Sequence, residues 1–187
     1  MFKFIKPSKE WIIYDNNPVM KQKINEVTFP LTNEDIEAIS KMTSYIDASY
    51  NNEAKKYDIR PGIGIAAIQI GYPKQITYIH LNDENNVEHK YLLANAKIIK
   101  KSLNNAYLSG GEGCLSVKKD VKGFVIRKEI VVVKAIDLFT NNEIEIRAQG
   151  LLSICLQHEI DHNNNLFYYD SINNLEPFSA DPKWTKI

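Results

Sequence analysis

No stretch of this chain approaches the roughly 20 consecutive apolar residues that a membrane-crossing helix needs. The opening Met1-Phe2-Lys3-Phe4-Ile5-Lys6 is too short and too interrupted by charge for a signal peptide, so the expected location is the cytoplasm. Excess charge is missing too: Lys+Arg 23 balance Asp+Glu 23 and are scattered, which leaves no footprint for a phosphate backbone. Cysteine is scarce, with only Cys114 and Cys155. A chain of 187 residues that is 44% hydrophobic buries a core without a disulfide, so free thiols are expected, one of them a candidate ligand. Internal repeats and linkers are absent, and a single domain over 1–187 is the expectation. The doubled asparagines Asn16-Asn17, Asn51-Asn52, Asn104-Asn105 and Asn141-Asn142 are separated by hydrophobic segments and read as turns.

Between Leu31 and Tyr50, Ile36, Ile39, Met42 and Ile46 recur at helical spacing behind Thr32 and Asn33, either of which can cap a helix. From Gln75 to Leu81, Lys90 to Lys100 and Glu129 to Arg147 the chain is rich in Ile, Val, Tyr and Thr with partial alternation, which predicts strands, the last segment turning at Thr140-Asn141-Asn142. A second helix is predicted from Leu151 to His162, with Leu151, Ile154, Cys155 and Ile160 near one face, stopped by Asn163-Asn164-Asn165. Helix, strands, then helix without regular alternation predicts an α+β domain: antiparallel β-sheets packed around a central helix, with an N-terminal helix before them.

The sharpest chemical signal is His158-Glu159-Ile160-Asp161-His162. Residues four apart on a helix stack one turn above the other, so both imidazoles can reach one metal, with Glu159 beside it to move protons. Zinc proteases with this motif take a third ligand downstream. Here no histidine follows His162 and the only later glutamate is Glu176, which disfavours a protease. The upstream candidates are His80, His89, Cys114 and Cys155. Cys114 is preferred, because the glycines of Gly110-Gly111-Glu112-Gly113-Cys114 free the backbone around it, whereas an unpaired thiol such as Cys155 is most often buried packing. In the apolar segment 62–71 the lone amide of Gln69 needs a partner. Gly62-x-Gly64-x-x-Ala67 with Asp83 imitates a dinucleotide-binding turn, but Pro61 ends the segment before it, and Gly71 and Pro73 cut the helix that should follow.

Taken in order, GIGIAAIQIG at 62–71, EGCLS at 112–116 and QHEIDH at 157–162 resemble the three signature motifs of peptide deformylases, and with them the valine after EGCLS and the long segment before Gly62 resemble the longer, type II-like bacterial subclass. The resemblance implies a hydrolase that removes the N-formyl group from the formylmethionine of nascent polypeptides and releases formate. It implies that Cys114, His158 and His162 bind one metal with water as fourth ligand, naturally Fe2+, with Zn2+, Ni2+ or Co2+ able to substitute. Glu159 is then the general acid and base, while the Gln69 side chain and the Leu115 N–H bind the oxyanion. Ile63, Gly64 and Gly113 match positions whose backbone pairs with an extended peptide, and Ile154 and Cys155 match part of the methionine pocket. Glu112, grouped with the substrate-binding residues, pairs with Arg127. The implied partners are the formylmethionyl peptide and, as its source, the ribosome, with no nucleic-acid or membrane contact.

The sequence departs from that pattern at Ile65 for leucine, at Ile68 for proline or a small residue, and at Asn163 and Asn165, where the family usually has a leucine and a glycine. Asparagine can take the left-handed cap, whereas losing the leucine should remove a packing contact behind the ligand helix. Loss of turnover with retention of the pocket is the competing reading, and the intact Gln69, Cys114, His158, Glu159 and His162 argue against it.

Overall fold

A computed structural model describes residues 2–187. Helix α1 spans Asn33–Tyr50. Of its two possible caps, Thr32 is the one used: its side chain accepts from the Asp35 N–H while the Asp35 carboxylate accepts from the Thr32 N–H, which satisfies two otherwise orphaned donors. Ile39, Met42 and Ile46 are fully buried, but Ile36 is 39% exposed, although Asp35 beside it in the first turn is fully buried.

The strands are β1 (Gly64–Ala66), β2 (Ile76–Asn82), β3 (Glu88–Lys101), β4 (Asn105–Tyr107), β5 (Arg127–Lys128), β6 (Ile130–Asp137), β7 (Asn142–Gln149) and, after helix α2 (Gly150–His162), β8 (Thr185–Lys186). An antiparallel sheet runs in the order β1-β2-β3-β6-β7, leaving β1 at an edge. A smaller sheet is ordered β5-β4-β8, in which β5 pairs antiparallel to β4 and the two-residue β8 pairs parallel to it, the chain returning from α2 through a long excursion rather than a hairpin. The α+β class stands.

The larger sheet is covered on both faces. Ile76 and Tyr78 of β2 pack toward α1, whereas Ile79 and Leu81 pack toward α2, so β2 reads as a nearly continuous apolar run. In β3, Leu93 and Ala96 reach the α2 side although they are three apart. Asn95 takes a left-handed conformation (φ 54°) at a register shift, and the extra residue resets the alternation. Its side chain accepts from the Val27 N–H and donates to the Val27 carbonyl, pinning the N-terminal segment to the bulge.

Helix α2 lies between the two sheets, and from Leu152 to Ile160 every residue is buried. A helix buried all round gives the weak amphipathic signal that its sequence shows. Its N-terminus has no local side-chain cap. Instead Glu84, from the β2–β3 turn, accepts the Leu151 N–H at 2.5 Å, and left-handed Gly150 (φ 63°) leaves the space: a Cβ there would meet Glu84 Oε1 at 2.5 Å. At the other end Asn165 (φ 56°) takes the left-handed position and donates to the carbonyls of Met20 and Gln22. Asn163, in the leucine position, has both amide atoms buried without a hydrogen-bond partner among the described residues.

Candidate metal centre and active site

Burial of α2 fixes the rotation of the helix, and with it where His158 and His162 point. Their donor atoms meet the Cys114 Sγ delivered by the 110–116 loop, all three within 4.8 Å of one another, with Sγ 3.4 Å from His162 Nε2. Metal–donor bonds of roughly 2.0 to 2.3 Å would set tetrahedral ligand atoms about 3.5 Å apart, so these residues fit one ion.

Both imidazoles are prepared. His158 Nδ1 lies 2.7 Å from Glu112 Oε2, so that nitrogen carries a hydrogen, and Nε2 is the atom that would face an ion once its own proton is displaced. Glu112 is itself held by Arg127, Nε to Oε1 at 2.7 Å and Nη2 to Oε2 at 2.9 Å, and Arg127 Nη1 reaches back to Asp161 inside the helix motif at 2.5 Å. Burial works against the Glu112 charge, but the bonds from Arg127 and His158 outweigh it and hold its pKa below the usual carboxylate range. Burial also opposes protonation of His158, yet its bonds to Cys114 and Glu112 hold its pKa well above the ordinary imidazole value. His162 is pushed well below it, by burial first and by His158 second, so its imidazole is neutral.

Glu159 is the residue left unsatisfied. It is 4% exposed, its Oε2 has no partner among the described residues, and burial raises its pKa from the ordinary carboxylate value to about 7. Gly64 is backed directly against it. A Cβ on Gly64 would sit 2.7 Å from Glu159 Oε1 and 3.0 Å from Cys155 Sγ, so the edge strand approaches the carboxylate only because residue 64 has no side chain.

Gln69, on the 3-10 turn Ala67–Ile70, has the partner its burial demands. Oε1 accepts the Ala66 N–H at 2.8 Å, which fixes the amide orientation and turns Nε2 toward Ser116 Oγ (3.3 Å) and Cys114 Sγ (3.4 Å). The dinucleotide-turn alternative is gone, since Gly64 lies in a strand followed by that short turn and left-handed Gly71.

A cavity of about 330 Å³ opens onto these groups and is lined by Ile63, Gly64, Gln69, Glu112, Gly113, Cys114, Leu115, Ile154, Cys155, His158 and Glu159 among others. His162 lies behind the wall, 1% exposed. Cys155 is a buried thiol whose pKa burial pushes well up, away from thiolate chemistry. The Ile63 carbonyl accepts the His80 N–H at 3.0 Å, and strand alternation then turns the N–H and C=O of Gly64 to the unpaired edge of β1, beside the cavity. His80 and His89, weighed as ligands from sequence, lie elsewhere, on β2 and β3. Sequence reasoning missed Ser116, Asp161, Leu151 and Arg60. The first two lie inside the motifs themselves, but only the fold shows what they touch.

A buried Cys/His/His donor set on an α+β frame, with an enclosed carboxylate and an amide donor beside it, defines a mononuclear metalloenzyme centre. The family model for polypeptide deformylase matches residues 9–178, and the peptide deformylase of Malacoplasma penetrans is 63% identical over all of both chains. That of Mycoplasma genitalium is 51% identical over 97% of this chain and 93% of its own. The chain belongs to the polypeptide deformylase family. Among solved structures, the peptide deformylase of Ehrlichia chaffeensis in complex with actinonin aligns with a TM-score of 0.69 at 26% identity, covering 94% of this chain and 91% of that one.

Proposed function

We propose that this protein is a metal-dependent hydrolase that removes the N-formyl group from the N-terminal formylmethionine of nascent polypeptides and releases formate. The observation that carries the reading is the meeting of the three donor atoms at the wall of one cavity, with the Gln69 amide and Glu159, whose Oε2 has no partner among the described residues, lining the same cavity. Cys114, His158 and His162 would hold the ion, Fe2+ in this reading. When bound, such an ion polarises a carbonyl and acidifies a water toward neutral pH.

The remaining work falls to the chain. Glu159, enclosed and raised to about 7, takes a proton from the attacking water and passes it to the leaving methionine nitrogen. Gln69 Nε2 and the Leu115 N–H donate to the developing oxyanion. The free edge of β1 at Gly64, facing Gly113, pairs with an extended peptide backbone, while Ile154 and Cys155 receive the methionine side chain. Glu112 acts through His158, since its carboxylate is committed to Arg127 and that imidazole. Such a substrate supports a cytoplasmic location, where chains leave the ribosome; no helix of the described residues is long and apolar enough to cross a membrane. Val117 and the long segment before Gly62 favour the type II-like subclass.

The test is formate release from a formyl-Met tripeptide by protein loaded with ferrous iron without oxygen, beside a nickel-loaded sample. Rapid release by both, lost by about 10² to 10⁴ in Glu159→Ala with metal content unchanged, is the expected result. A folded, metal-loaded protein that binds the peptide and releases nothing would instead be a peptide-binding descendant. Cys114→Ser should lose metal and Cys155→Ser should keep it.

A further inference from the structure

Resting on that reading, we propose that Arg60 is a specificity-determining residue that favours formylated peptides with an acidic side chain at the third position. Arg60 leaves the segment that leads into β1, lines the cavity, and crosses to the opposite wall. Nη1 donates to the Val117 carbonyl and Nη2 to Asp120 Oδ1, each at 2.7 Å, and Nη2 lies 3.4 Å from where a Cβ on Gly113 would be. The guanidinium therefore lies against Gly113, on the wall that faces β1 across the cavity.

The cavity's other charged side chains are withdrawn from solvent. Those of Glu112 and His158 are 4% and 10% exposed and bonded to each other, and Glu159 is enclosed, whereas that of Arg60 is 38% exposed. Asp120 offsets part of the guanidinium charge, but exposed Lys118, Lys119 and Lys122 on the same loop leave the surroundings positive. A formylated N-terminus carries no charge, so the first charge such a substrate presents is a side chain.

Reach agrees with this. Arg60 is four residues from Gly64, at most about 14 Å of extended chain, and its side chain folds back toward Gly113. A peptide paired with the Gly64 edge has its third residue about 7 Å beyond the methionine, within reach of a glutamate side chain.

Asp120 gives the proposal a sign that a merely structural clamp lacks, because it competes with the substrate carboxylate for the same guanidinium. The experiment compares formyl-Met-Ala-Glu, formyl-Met-Ala-Ser and formyl-Met-Ala-Lys, all as C-terminal amides, on the metal-loaded protein, with affinities for the same peptides measured on Glu159→Gln. The glutamate peptide is expected to exceed the lysine peptide by roughly two- to fivefold in kcat/KM at low salt, through KM rather than kcat, with the preference fading as salt is added. Arg60→Ala should erase it, Arg60→Glu should reverse it, and Asp120→Ala should enlarge it. Equal affinities for the three peptides would overturn the proposal. So would a preference that survives Arg60→Ala but falls when Lys118, Lys119 and Lys122 become alanine, or an equal rise in KM for every peptide in both Arg60→Ala and Asp120→Ala. If no peptide released formate, the hydrolase reading would fail, while the affinities on Glu159→Gln would still decide the role of Arg60.

Discussion

His80 and His158 are both buried beside carboxylates, and the difference between their surroundings separates a structural histidine from a ligand. His80 has both ring nitrogens taken: Nδ1 lies 2.6 Å from Asp47 and Nε2 2.8 Å from Glu88, with the Tyr50 ring stacked on its face at 3.6 Å. Asp47 in turn accepts from the Tyr78 hydroxyl and from Lys90. His158 has one nitrogen taken, by Glu112, and the other turned toward Cys114 and His162. In the first cluster both ring nitrogens are engaged, so it ties α1 to the β2–β3 hairpin and leaves the imidazole nothing to offer a ligand. The second cluster is deliberately incomplete. Three donor atoms meet within 4.8 Å of one another, and Glu159, on the same cavity, keeps a buried Oε2 without a partner among the described residues, which is costly unless something else fills the space.

Four changes would break or sharpen this contrast. The largest effect is expected from Gly64→Ala, which drives a methyl group into Glu159 and Cys155. Turnover should fall on the order of 10²-fold, as misplaced catalytic groups do, with metal content and unfolding temperature nearly unchanged; near-normal turnover would mean that Glu159 has room it is not seen to have. Next, Glu112→Gln should weaken metal affinity about 10- to 100-fold in competition with a chelator, because the acceptor that orients His158 is weakened and Arg127 loses its charged partner.

His80→Phe should do the opposite on both measures. Turnover and metal content stay as they were, while denaturant titration shows a loss of about 1 to 3 kcal/mol from the unsatisfied groups left behind. A drop in metal content in that variant would erase the distinction between the two clusters.

The smallest effect concerns His89, whose Nε2 bonds Asp83 at 3.0 Å. That hydrogen bond, with those from the Val87 and Asn85 N–H groups, lowers the Asp83 pKa below the usual carboxylate value. The folded pKa is thus lower than the unfolded one, so the contribution to stability is fully present above the unfolded carboxylate pKa and is lost as pH falls through the folded value. Asp83→Asn should lower stability slightly at neutral pH and flatten the acid limb of the profile, the difference vanishing below the folded pKa, as read by denaturant titration across pH.

Much of this was legible beforehand, for local reasons. Helix α1 announces itself by period and cap, and the β6–β7 hairpin by alternation around Thr140-Asn141-Asn142, since each is settled by neighbours within a few residues. The parallel pairing of β8 was hidden because its partner β4 lies nearly 80 residues away, and two-residue strands carry no period. Likewise Glu84 caps α2 from 67 residues away, and no local pattern marks a glutamate in a turn as a helix cap.

The sequence by itself determined the order and type of the main elements, the paired histidines one helical turn apart, and the chemistry of Cys114, Gln69 and Glu159 as residue types, because these depend on spacing along one chain. Only the tertiary structure decided which histidines have a nitrogen to spare, which cysteine meets them, that Glu159 is sealed from partners against Gly64, and that Arg60 reaches across the cavity. Those properties belong to contacts between segments 40 or more residues apart, and burial and the partners already engaged at each contact set them, not the residues on either side.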